Sequence, residues 1–177
     1  MSKLGIIIIA FFCLRTDWLG EAEYLIDQTD ERATLSNTIK LKEKGGQTAI
    51  MEYGLDDVEK LSVHYDYGNV MDMESNFYSK DGLIFSEFTV GQDVLIYKRE
   101  LQPSEPYASL IESKIYFKSE TYGLKKTRKI NIHESDNIAE LKLKLKDKEF
   151  KIDTLGSTDY QRMTDKYNRI KRKTQQE

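Results

Sequence analysis

The chain has one cysteine, two prolines and one tryptophan in 177 residues. A single cysteine excludes an internal disulfide framework, and none of the paired-Cys or H-E-x-x-H signatures of strong zinc sites is present. Two prolines, both within "QPSEPY", leave the rest of the chain free to form long elements. Charge of one sign is not in marked excess. The net charge is −3, which gives no general pull towards nucleic acid or acidic lipid. There is no G-x-S-x-G, no phosphate-cradling glycine loop and no D-x-D-x-D-G calcium loop. Long apolar runs are also missing, with one partial exception at the start.

That exception is "MSKLGIIIIAFFCL". Its apolar stretch, Leu4 to Leu14, is about half of what a bilayer-spanning helix needs. A lysine precedes it, and Gly20-Glu21-Ala22 follows as a small-x-small site. This pattern predicts a signal peptide over 1–22, cleaved after Ala22. A buried first strand is the alternative for an isoleucine run. Cys13 follows Phe12, where a lipoprotein site wants a small residue, so Cys13 is expected to leave with the signal, as is Trp18. Removal of 1–22 takes away two bases (Lys3, Arg15) and two acids (Asp17, Glu21), so the charge stays −3. The remaining residues, 23–177, have the size of one domain and can bury a core without disulfides. The mature chain is expected to contain no membrane span and to be periplasmic or secreted.

From about residue 37 the dominant period is two. "NTIKLKE" alternates, Gly45-Gly46 offers a turn, and "QTAIMEY" returns. In "LSVHYDYGNVMDMESNFY" a loop at Tyr67-Gly68-Asn69 would pair Tyr65 with Met71. Leu61, Val63, Tyr65, Met71, Met73 and Phe77 then share one face, and His64, Asp72 and Glu74 the other. "FYSKDGLIFSEFTV" holds Asp81-Gly82 between apolar runs, the strongest hairpin signal in the chain. It would pair Tyr78 with Phe85 and leave Phe77, Ile84, Phe88 and Val90 opposite. "VLIYKREL" and "LIESKIYFK" read as strands, with Tyr122-Gly123 as the next turn. "ELKLKLKDKEFKIDT" reads as a further hairpin about Asp147-Lys148, pairing Leu145 with Phe150 and Leu143 with Ile152, although Leu, Lys and Glu also favour helix. After Gly156 the period changes. Tyr160, Met163, Tyr167 and Ile170 form a helical stripe from about residue 158, which Ser157, Thr158 or Asp159 can cap. The expectation is a mainly β protein: an antiparallel meander sheet, curved or partly closed, with one C-terminal α-helix.

A unit close to Tyr-x-x-x-Gly-x recurs as "YDYGNV", "YSKDGL" and, more loosely, "YFKSETYGL". It resembles the strand-turn-strand units of uncharacterised exported bacterial β-meander proteins that end in one helix. The resemblance spans about residues 58–170. It implies export and a sheet fold, and no known activity.

Candidate chemistry is sparse. His64 is expected in a solvated cross-strand pair with Asp72, and His133 at a strand end beside Glu134 and Asp136. The acidic groups Asp56-Asp57-Glu59 and Asp72-Glu74 lack the spacing to surround a calcium ion and read as solvated faces. Ser157 in "LGSTD" reads as a helix-capping residue, and "NRIKRK" as a solvated helix end. These readings point to an exported, non-enzymatic domain that binds a protein or envelope partner, without cofactor or metal. The second expectation is a lipocalin-like carrier of a small apolar ligand, since a barrel of this size can hold one. The mature chain lacks the Gly-x-Trp of lipocalins.

Overall fold

The computed structural model describes the backbone of residues 3–43, 45–68, 71–94 and 106–175, with side chains from Trp18 onward other than those of 43, 93 and 94. Eight strands form one antiparallel sheet in which every strand pairs only with its sequence neighbours. They are β1 (Thr34–Glu43), β2 (Gly46–Leu55), β3 (Val58–Asp66), β4 (Asp72–Lys80), β5 (Leu83–Val94), β6 (Ala108–Ser119), β7 (Tyr122–Ile132) and β8 (Lys151–Leu155). The sheet does not close, so β1 and β8 are its edges. Three helices accompany it: α1 (Lys3–Arg32), α2 (Ile138–Lys146) and α3 (Ser157–Thr174). The strand expected for "VLIYKREL", 94–101, lies outside the described residues, apart from Val94 at the end of β5.

Both faces of the sheet are covered. The α3 stripe is buried as its spacing requires, with Tyr160, Met163, Tyr167 and Ile170 packed on Ile50, Leu61, Val63, Phe77, Ile84 and Phe117. Tyr160 meets Phe117 edge-on with ring centroids 5.2 Å apart, and Tyr167 meets Phe77 at 5.9 Å. Asp159 caps this helix by accepting a 3.1 Å hydrogen bond from the Gly156 N–H. The opposite face carries α1 and α2. Trp18 and Ala22 of α1 join Val58, Tyr78, Phe85 and Tyr116 in a second cluster, where Trp18 lies edge-on to Tyr122 at 6.1 Å. The expected signal segment and the start of the expected domain therefore lie on one continuous helix. The contacts of Trp18 and Ala22 exist only in a chain that keeps residues 18–22.

The Asp81-Gly82 hairpin forms as expected: Lys80 pairs with Leu83, and both turn residues have positive φ (52° and 80°). A bulge between Tyr78 and Ser79 sets Tyr78 opposite Ser86 rather than Phe85. The extra residue flips the parity of β5, so Phe88 packs towards α1 and not with Ile84. The β3–β4 pair is displaced by two residues, with Tyr65 opposite Met73 and Leu61 opposite Phe77. An even displacement preserves faces, so Leu61, Val63 and Phe77 still share the α3 side. The longer loop closes with a Tyr67 N–H bond to the Met71 carbonyl (2.8 Å) and a Gly68 N–H bond to the Asp66 carboxylate (3.1 Å). Gly46 already pairs with Glu43, so the first turn lies one residue earlier than expected. Gly123 is likewise in β7, opposite Phe117, where a Cβ would sit 2.5 Å from the Tyr116 carbonyl oxygen.

The expected hairpin over 140–154 is not formed. Residues Ile138–Lys146 are helical, with the Asn137 side chain accepting from the Ala139 and Glu140 N–H groups at 3.0 and 3.4 Å. Leu141 and Leu145, one helical turn apart, pack on Ala108, Leu110 and Ile132, whereas Leu143 is 63% exposed. Only Lys151–Leu155 extends, and it pairs with β7. Arg128 fixes the connection: its guanidinium bonds Glu112 and the Lys146 carbonyl and lies 4.5 Å over the Phe150 ring.

Candidate binding cleft

Helical spacing places Glu23, Asp27 and Asp30 at i, i+4 and i+7 on α1, on a face that also carries Ile26. The strand period places Tyr78, Ser86, Phe88, Lys114 and Tyr116 on the sheet face below. Between them is a half-enclosed cleft of about 380 Å³. Acids come from the helix, while the bases and aromatic rings come from the sheet.

Two of the carboxylates are clasped. Asp30 accepts the Tyr78 hydroxyl at 2.8 and 3.1 Å and pairs with Lys60 at 2.8 Å. Glu23 accepts the Tyr116 hydroxyl at 3.2 Å and pairs with Lys126 at 3.0 Å. In each clasp the lysine also lies over the tyrosine ring, at 5.7 Å for Lys60 and 5.3 Å for Lys126. Burial pushes both phenols well above the ordinary tyrosine range, and the neighbouring carboxylates push them further. Both tyrosines are therefore neutral hydrogen-bond donors at any physiological pH, not proton acceptors.

Two further charges line the cleft, Asp27 and Lys114. Asp27 makes no hydrogen bond or ion pair with any described residue. Lys114 makes no hydrogen bond. It pairs with Glu112 at 3.8 Å, and its ammonium lies over the Phe88 and Phe150 rings, 5.2 and 5.8 Å from their centroids.

The residues singled out from sequence do not converge here. His64 reaches Asp72 at 2.9 Å, although its register partner is Glu74. The His133 N–H bonds Asp136 at 2.7 Å in a turn. The Asp56-Asp57-Glu59 group is dispersed. Asp56 shapes a turn with φ 53°, Asp57 pairs with Lys80, and Glu59 faces Tyr167 and Lys171. Glu74 bonds Asn76. Among the described residues no group of three or more His, Cys, Asp or Glu is placed to hold a metal ion. In "NRIKRK", Lys171 pairs with Glu52 and Glu59, and Ile170 is buried.

The sequence reading passed over Glu23, Asp27 and Asp30. Their spacing was visible, but an inward carboxylate face looks like a solvated one until its tyrosine and lysine partners are known.

No family model matches the chain, and no curated protein or solved structure matches it. No helix among the described residues is long and apolar enough to cross a membrane.

Proposed function

We propose that the chain is an exported, non-enzymatic domain, periplasmic or secreted, that binds a protein or envelope partner. The openness of the sheet carries this reading. A carrier of apolar ligands in a barrel lumen needs a closed sheet, and this meander ends in two edges. An edge strand offers unpaired backbone groups to a partner. On β1, Leu35 is 50% exposed, a large apolar side chain at that edge. The leading segment, with Lys3, the run from Leu4 to Leu14 and Gly20-Glu21-Ala22, supports export.

A photo-crosslinking amino acid at Leu35, in protein expressed with its leading segment in a bacterial host, tests the partner reading. Discrete adducts at this position, absent from a control at the exposed turn residue Asp56, are expected. The lipocalin-like alternative is tested by titration with the fluorescent fatty acid cis-parinaric acid. Saturable one-to-one binding would favour the carrier, and an unchanged emission spectrum the interaction domain.

A further inference from the structure

We propose that the fold guards its own processing site: the Ala22–Glu23 bond is cut only while α1 is undocked from the sheet, so processing precedes completion of the fold. The inference rests on the export reading, with cleavage after Ala22, and adds to it an order of events.

A small-x-small site presents its two small residues together only when the chain is extended, because residues i and i+2 lie on one face of a strand. On an α-helix they stand about 200° apart. Gly20 and Ala22 have this second arrangement: Gly20 is exposed, whereas Ala22 is turned to the sheet and 7% exposed. Both lie well inside a helix that runs from Lys3 to Arg32. A peptidase that takes its substrate as an extended strand must therefore unwind α1 around residues 20–23.

Both flanks of the bond resist that unwinding. Before it, Trp18 and Ala22 pack with Val58, Tyr78, Phe85 and Tyr116, and Trp18 meets Tyr122 edge-on. After it, the Glu23 carboxylate accepts the Tyr116 hydroxyl at 3.2 Å and pairs with Lys126 at 3.0 Å. Opening the site breaks the apolar contacts and this clasp together. Proteolysis of a folded chain tracks the population of such open states. The closing partners, Tyr116 and Lys126, lie 93 and 103 residues further along the chain than Glu23. The bond thus stays open to a peptidase until β6 and β7 have formed. A chain cut in that interval loses Trp18 and Ala22. A chain that folds first keeps residues 1–22 and shields the bond.

The test compares three substrates of a purified bacterial signal peptidase in mild non-ionic detergent, with cleavage at 22–23 read by mass. They are the folded full-length chain from Met1, the same chain carrying Trp18→Ala, and a synthetic peptide of residues 1–32. Trp18→Ala leaves Gly20 and Ala22 in place and removes only a docking contact. The peptide is expected to be cut fastest and the folded wild-type chain slowest. Trp18→Ala should be cut at least about tenfold faster than wild type, as the lost burial of one large side chain implies. Hydrogen exchange in the same detergent should show the Ala22 and Glu23 amides protected in the wild-type chain and opened by a similar factor in Trp18→Ala. Equal cleavage of the peptide and the folded wild-type chain would overturn the proposal and leave the export reading standing. So would unchanged cleavage of a Trp18→Ala chain whose Ala22 amide exchanges faster. A peptide left uncut at 22–23 would overturn the export reading, and the proposal with it. The comparison of peptide with wild type needs no variant, so a folding defect in Trp18→Ala cannot rescue it.

Discussion

The Tyr78 hydroxyl donates to the Asp30 carboxylate at 2.8 Å, joining α1 to the centre of the sheet across 48 residues of chain. Tyr78 is 1% exposed, so Tyr78→Phe leaves the ring packed and removes the bond alone. A loss of about 1.5–3 kcal/mol is expected, as for hydrogen bonds to charged groups. The pH dependence has a definite sign. The folded-state pKa values of Tyr78 and Tyr116 are raised, so the fold favours their neutral forms. Their contribution is fully present below the ordinary tyrosine value of about 10 and is lost as the pH rises beyond it. Urea midpoints should fall between about pH 9 and pH 11. In Tyr78→Phe the fall should be shallower, and an identical pH slope would place the tyrosine outside the clasp.

Helix α2 makes a contrast that a hairpin would not. A strand through Leu141, Leu143 and Leu145 turns all three leucines to one face, whereas the helix buries Leu141 and Leu145 and leaves Leu143 63% exposed. Leu141→Ala and Leu145→Ala should each cost about 2–4 kcal/mol. Leu143→Ala should stay within about 0.5 kcal/mol. Equal costs at all three positions in urea unfolding would restore the hairpin.

The reasons for these differences are physical. Period-two patterning identified the meander, because an even slip such as Tyr65 moving from Met71 to Met73 leaves every face unchanged. The same patterning could not see the bulge beside Tyr78, which changes parity within one strand and sends Phe88 to the α1 side. The Leu-Lys alternation of α2 fits both periods over nine residues. The choice was made by Leu110 and Ile132 on distant strands and by the Asn137 cap. The cleft was hidden for a related reason: Glu23 and Asp30 read as solvated acids in sequence, and only the Tyr116 and Tyr78 hydroxyls tie them to the sheet.

Gly91 is held at φ 149°, and a Cβ there would stand 2.2 Å from the Asp72 carbonyl oxygen. Gly82, at φ 80°, has open space around it. Gly82→Ala should therefore cost only backbone strain, about 1–2 kcal/mol. Gly91→Ala must also displace β4 and should cost more. Thermal midpoints in the reverse order would contradict the described β4–β5 approach.

Chains beginning at Trp18 and at Glu23 should differ in stability. The shorter one loses Trp18 from Tyr122 and Ala22 from the cluster around Tyr78 and Tyr116. Burial of a large apolar side chain contributes on the order of 1.5–3 kcal/mol. The chain beginning at Glu23 should still fold, since Glu23 and Asp30 retain both clasps, and its urea midpoint should be lower. Equal midpoints would mean that the Trp18 contact contributes nothing.

The proposed role outside the cytoplasm depends on export with cleavage after Ala22. Intact mass of the protein in the exported fraction of a bacterial host, expressed from Met1, tests it most directly. A processed chain beginning at Glu23 is expected, without Trp18 and its emission, and with Glu23, Asp27 and Asp30 all present. Full-length chain confined to the cytoplasm would contradict it.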